Sequence, residues 1–362
     1  MDLKNIFKHK LNIAIMLMVS TVLFTACPNP PTPDPDSPIQ ETGYKGMYVL
    51  NEGNWNGNNS SITYYDFETG SVTADIFTKV NHRGLGDVGN DLKRYGSKLY
   101  CVVNVSETVE IMNANTCSSI KQIFLSGKQP RKIAFYGSKA YVSCSDGDVV
   151  RIDTVSLAVE ASVMSGLNPE DLCVISGKLY VANSGQFNYP EFNNTISVID
   201  CSSFSVIKTI EVHKNPLLFG MGENQILWLL SSGDYSAEFP SKLQQINTQQ
   251  DVVLGASFSP VAGFYPYHQK LYYFNSNYVT GATDIKVMNP ALNDFPGQNV
   301  IADHTAITLP YAIYVDGAVG VIICDALNYT SNGDVYGFDF NGKKIFKFEA
   351  GVCPKSVVLL EN

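Results

Sequence analysis

From about Gly46 to its end, the chain alternates short apolar runs with polar loops rich in glycine, asparagine and proline. Each unit opens on an apolar strand led by Lys-Leu-Tyr or a variant, followed by a polar loop, a second strand ending in Asp or Asn, a third strand, and a proline-bearing loop. The opening phrase occurs seven times: Gly46-Met47-Tyr48, Lys98-Leu99-Tyr100, Lys139-Ala140-Tyr141, Lys178-Leu179-Tyr180, Ile226-Leu227-Trp228, Lys270-Leu271-Tyr272 and Val319-Gly320-Val321. Apolar runs this short, bounded by turn residues, predict strands rather than helices. A repeat of roughly 40 to 50 residues made only of short strands predicts propeller blades. The fold expected is all-β, a seven-bladed β-propeller.

Two further landmarks repeat with the blades. Asp66, Asn113, Asp153, Asp200, Asn247, Asn289 and Asp339 close one strand of each unit, where their side chains are suited to accept backbone N–H groups two residues on and fix a hairpin. Pro130, Pro169, Pro216, Pro266, Pro310 and Pro354 stand before the innermost strands, and only the loop over residues 81–90 lacks a proline. The order of the phrases also predicts closure. The chain starts on a second strand, Met47 to Asn51, without an inner neighbour, and ends on Pro354 to Leu360, an inner strand without a blade. Pairing the two in one blade removes the free edges of an open array.

The first residues change the picture of where this propeller sits. Lys4, Lys8 and Lys10 precede an apolar run from Leu11 to Phe24, then Thr25-Ala26-Cys27. This is the layout of an export signal, too short to span a bilayer. Phe24-Thr25-Ala26-Cys27 resembles a lipobox, which implies cleavage after residue 26 and lipidation of Cys27. Residues 27–43 are a proline-rich spacer, extended and outside any core, and residues 44–362 are the propeller. The expected location is the outer membrane, lipid-anchored and facing the cell exterior. A net charge of −9 with no concentration of Lys or Arg argues against nucleic acid as a partner. With Cys27 lipidated, seven cysteines remain, none in a CxxC pair, and they read mainly as small buried hydrophobes.

Chemistry is expected in loops that a propeller gathers over its central channel. The loops between second and third strands are aromatic, each pairing a ring with an amide or carboxylate: Asn51, Glu52 and Trp55; Phe187 and Tyr189; Asp234-Tyr235; Asn277-Tyr278; Asn328-Tyr329. Broad rings with paired donors and acceptors suit a large polar ligand with flat faces. The loops leading into the inner strands add Arg83, Lys128, Arg131, Glu170, Asp171, Lys214, Tyr265, Tyr311 and Lys355 around the same mouth, of which Arg131 and Asp171 are the foremost candidates. His82, His213, His268 and His304 show no metal-ligand spacing, and neither a GxSxG elbow nor a phosphate loop is present. The reading is therefore a binding protein and not an enzyme, with no catalytic residues, metal or cofactor required. Two alternatives stay open: a calcium-dependent hydrolase or lactonase gathering Glu52, Asp171 and Asp325 from separate blades, and a glycan-binding or scaffold lipoprotein.

The first blade, Tyr48 to Asp66, with Asn51-Glu52-Gly53-Asn54 as its most specific stretch, resembles propeller lipoproteins of Bacteroides-type gut anaerobes, and the wider repeats resemble YVTN propellers. Within that set, residues 46–362 resemble the BtuG family of surface lipoproteins. The resemblance implies capture of cobalamin or another corrinoid as bound ligand, and its transfer to a partner, a TonB-dependent outer-membrane transporter of the BtuB type. No family contact residue is carried over by position. The candidate ligand-binding residues, Asn51, Glu52, Trp55, Arg83, Arg131, Asp171, Phe187, Tyr189, Tyr235, Tyr278, Tyr311 and Tyr329, rest on loop placement.

Overall fold

The computed structural model describes residues 43–276, 282–292 and 294–362. The expected signal, the Cys27 anchor, most of the spacer and Tyr278 lie outside the described residues. Within them the chain forms seven four-stranded antiparallel sheets. Six of the sheets take four consecutive strands, and the seventh combines the last strand of the chain with the first three. The inner strands are Pro354–Glu361 for blade 1, then Gly89–Tyr95, Pro130–Tyr136, Pro169–Ile175, Pro216–Met221, Gly263–Tyr267 and Pro310–Asp316 for blades 2 to 7. Each inner strand touches those before and after it, and the last meets the first, so the ring is closed around a channel.

Second strands read as continuous apolar runs because blades cover both of their faces. Lys98–Val103, Lys139–Cys144, Lys178–Asn183 and Ile226–Ser231 are buried at every position after the first. A strand covered on one face only would alternate instead. The outermost strands Ala158–Met164 and Ser205–Glu211 are mostly exposed. The core therefore lies between blades. Tyr180 and Val198 of blade 4, for instance, pack with Leu227 and Leu229 of blade 5.

The repeating Asp and Asn residues act as expected. Asn113 accepts the N–H groups of Asn115 and Thr116, Asp200 those of Ser202 and Ser203, and Asn247 those of Gln249 and Gln250. Pro130, Pro169, Pro216, Pro310 and Pro354 each begin an inner strand. Pro266 departs from the expectation: it lies inside Gly263–Tyr267, opposite Leu271. An inner strand pairs on one side only, so a residue there does without a ladder N–H. The termini interlock as the sequence implies, with Pro354–Glu361 antiparallel to Tyr44–Asn51. The seven cysteines from Cys101 to Cys353 carry free thiols, all buried except the half-buried Cys173. Among the described residues no helix is long and apolar enough to cross a membrane.

Candidate functional site

The mouth of the channel is built where inner strands begin. Ladder register shifts there in six of the blades, between Gly89 and Asp91, Pro130 and Ile133, Pro169 and Leu172, Pro216 and Leu218, Pro310 and Ala312, and opposite Pro354. Such bulges re-aim side chains. They allow successive polar residues, Asn90-Asp91, Arg131-Lys132, Glu170-Asp171 and Lys355-Ser356, to serve the channel instead of alternating away from it.

Asn90, Arg131, Glu170 and Lys355 join Glu52 in an arc of paired charges across blades 7 and 1 to 4. Arg131 grips Glu170 in bidentate fashion, Nε at 3.0 and 3.1 Å from the two carboxylate oxygens and Nη2 at 2.9 Å from Oε2. Lys355 Nζ lies 3.0 Å from Glu52 Oε2, and the Tyr311 hydroxyl donates to the same oxygen. Asn90 joins the halves. With its NH2 turned to Glu52 Oε1 at 3.2 Å, its oxygen accepts from Arg131 Nη1 at 2.8 Å.

Glu52 is held by its own backbone. Its N–H donates to Cys353 O, its carbonyl accepts from Gly89 N and Ser60 Oγ, and Gly53, at a φ of +79° that favours glycine, donates to Val352 O. Burial alone would raise the Glu52 carboxyl, but Lys355, the Tyr311 hydrogen bond and Arg131 hold it below the ordinary carboxylate range. A lowered folded pKa gives stability that is present above the unfolded value of about 4.3 and lost as pH falls through the folded one. Glu52→Gln should therefore flatten the acid limb of a curve of stability against pH, measured by denaturant unfolding. Lys355 is pushed down from the usual lysine value, since burial with Lys132 and Arg131 nearby outweighs the attraction of Glu52.

Beside this arc stand the exposed aromatics. Trp55, Phe187, Tyr189 and Tyr235 are 58, 61, 71 and 72% exposed. Tyr189 meets Phe192 edge-on at 5.8 Å and Phe192 meets Tyr235 at 5.7 Å, so loops of blades 4 and 5 form one aromatic cluster. A second cluster joins Tyr311 and Tyr329, 5.7 Å apart, with Asn54 donating to the Tyr329 carbonyl at 2.7 Å. Tyr235 and Tyr329 each adopt a φ of +65°. That conformation costs a bulky side chain of order 1–3 kcal/mol and would suit Asn or Gly better.

Several expected site residues are placed otherwise. Asn51 is fully buried, its amide donating to Ser61 and Thr63, so it braces the loop and offers a ligand nothing. Asp234 and Asn328 are engaged in turns, accepting from Ser236 N and from Thr330 and Ser331 N, and thereby set the conformation of the tyrosines that follow them. Arg83 is not at the mouth. It pairs with Glu110 at 2.8 Å, bonds Ser119 and covers the Phe77 ring between blades 1 and 2. Asp171 is buried deeper in the channel, accepting from Leu172 and Phe219 N–H groups. Asp325 accepts from Thr308, Leu309 and Leu327. Glu52, Asp171 and Asp325 thus do not gather, and among the described residues no group of three or more His, Cys, Asp or Glu side chains is arranged to hold a metal ion. Asn90 and Phe192 escaped the sequence reading. Asn90 follows Gly89, in the one inner-strand loop whose sequence carries no proline to mark it, and Phe192 lies three residues beyond the motif read in its loop.

Geometry and connectivity define the molecule as a β-propeller of seven blades closed by its own termini. Residues 45–235 match the family described as a domain of unknown function, DUF5074, and the chain belongs to it. No curated protein matches. Among solved structures, a quinonprotein alcohol dehydrogenase-like protein from Bacteroides thetaiotaomicron is 16% identical with a TM-score of 0.65, covering 88% of this chain and 79% of that one. Hydrazine synthase from Kuenenia stuttgartiensis is 15% identical with a TM-score of 0.55, over 68% and 74%. The computationally designed Ika8 protein is 12% identical with a TM-score of 0.54, over 90% and 94%. At such identities the likeness shows the fold alone.

Proposed function

We propose that this chain is a non-catalytic surface receptor that captures cobalamin or a related corrinoid on its aromatic loop face. In this reading it is anchored at the outer membrane through Cys27 and passes its ligand to a TonB-dependent transporter of the BtuB type. The observation that carries the reading is the aromatic cluster of Tyr189, Phe192 and Tyr235, joined across blades 4 and 5, with Tyr189 and Tyr235 left 71 and 72% exposed beside the channel mouth. Exposed Trp55, Phe187 and Tyr189 extend the same surface, and rings offer a flat ligand contact area at small entropic cost. The paired charges at the mouth suit the reading too. Glu52, Arg131, Glu170 and Lys355 neutralise one another and stiffen the platform, while amide arms of a corrinoid would meet Asn54, Gln186 and Asn188 in the surrounding loops.

The test separates ring from fold. Tyr235→Asn removes the ring but favours the left-handed backbone, so it should leave the melting temperature unchanged or slightly higher while weakening cobalamin at least about tenfold in titration calorimetry. Trp55→Ala and Tyr189→Ala should behave as anchors of about 2 kcal/mol or more. Unchanged cobalamin affinity in the triple variant removes the site from this face.

A further inference from the structure

Below the arc of paired charges the channel holds a cavity of about 390 Å3. Its wall is divided by blade. Blades 2 to 4 supply Asp91, Lys93, Lys132 and Asp171, whereas blades 6 and 7 supply the half-buried rings of Tyr265, Tyr311 and Tyr314. Half of the wall is thus ionic and half is aromatic, within the 300–1,000 Å3 typical of small-molecule sites.

The ionic half favours an incoming anion. Lys93 Nζ donates to Ile133 O at 2.7 Å and lies 3.4 Å from Asp91, and Lys132 Nζ donates to Asn90 O at 3.1 Å and lies 4.0 Å from Asp91. An ammonium has three N–H groups, so each lysine keeps donor capacity in reserve. The Lys93 side chain is 39% exposed although its strand is enclosed by the ring of blades, which sets it against channel solvent. Asp91 already accepts from Ile133 N, and Asp171 from two backbone N–H groups. With Lys355 paired to Glu52, two ammonium groups face two carboxylates in the wall, and both carboxylates are already engaged by backbone N–H groups. Burial raises the Asp171 carboxyl against the pull of Lys93 and Lys132, which moves the balance toward positive charge.

The cavity also has its own entrance. Met221 ends the blade 5 inner strand that Pro216 begins at the mouth, and it both lines the cavity and is 59% exposed. The cavity therefore also reaches the end of the channel away from the aromatic loops.

We propose that the channel is a second binding site, for a small aromatic carboxylate that enters past Met221, sets its carboxylate on Lys93 and Lys132, and lays its ring against Tyr265 and Tyr314. This site lies below the corrinoid face, shares Tyr311 and Lys355 with the mouth, and is tested without cobalamin. Titration calorimetry on the intact protein with 3-phenylpropionate, 3-phenylpropylamine and propionate tests it. The aromatic acid should bind at least about tenfold tighter than the amine of the same skeleton and than the short acid without a ring. Lys132→Met should weaken 3-phenylpropionate by at least about tenfold. Met221→Trp, which narrows the entrance and leaves both lysines in place, should slow association and dissociation in stopped-flow by at least about tenfold at an unaltered melting temperature. Absence of 3-phenylpropionate binding at millimolar concentration, equal affinity for acid and amine, unchanged affinity in Lys132→Met, or unchanged rates in Met221→Trp overturns the proposal.

Discussion

Deleting residues 354–362 should abolish cooperative unfolding of the whole propeller. The lost strand pairs with Tyr44–Asn51 from Asn51 opposite Pro354 to Tyr44 opposite Glu361, and it is the inner strand of blade 1. Val358 and Leu360 are buried on it, each worth about 1.5–3 kcal/mol in water-exclusion terms. Their removal uncovers Met47, Val49 and Leu50, all fully buried in the intact ring. Loss of Lys355 also leaves Glu52 without its ammonium partner, and orphaning a buried charge costs about 3–5 kcal/mol. Together these terms approach the whole stability of a typical domain, about 5–15 kcal/mol. A thermal scan by circular dichroism should show a broad, early transition or none. A sharp transition at the full-length melting temperature contradicts closure by the termini.

Arg131→Ala and Glu170→Ala should each destabilise the fold by about 3–5 kcal/mol, and the double variant Arg131→Met with Glu170→Leu should recover most of that loss. The reason lies in their shared geometry: three N–H to oxygen contacts of 2.9 to 3.1 Å between two nearly buried groups. Removing one partner strands the other charge in the channel wall, whereas removing both replaces an ion pair with apolar volume. Denaturant unfolding of the two alanine variants, their double and the Met/Leu pair would measure the coupling. Strictly additive alanine effects would contradict a coupled pair.

The architecture was legible because it repeats. Lys98, Lys139 and Lys178 open buried second strands, and Asn113, Asp200 and Asn247 hold the turns expected of them. The site was legible as a set of loops but not as a set of contacts. Asn51 and Trp55 sit four residues apart, yet Asn51 ends a strand, fully buried with its amide on Ser61 and Thr63, whereas Trp55 is exposed in the loop beyond. Asp234 and Asn328 carry ligand-like chemistry that their own turns consume. Arg83 precedes an inner strand as Arg131 nearly does, but the helix Ile76–Asn81, unique to blade 1 among the described residues, carries it to the outer boundary beside Glu110. The charged and aromatic halves of the channel were hidden because bulges at the strand starts break the two-residue alternation on which a sequence reading of faces depends.

Capture of a corrinoid on the loop face is tested most directly by mixing the purified protein with excess cobalamin, desalting, and recording the visible spectrum of the protein fraction. The account predicts that corrinoid absorbance travels with the protein in a ratio of about one per chain, and that the combined Trp55→Ala, Tyr189→Ala and Tyr235→Asn variant, folded and monodisperse, loses it. Cobalamin eluting wholly in the small-molecule fraction from the unaltered protein, or retained equally by the triple variant, would contradict it.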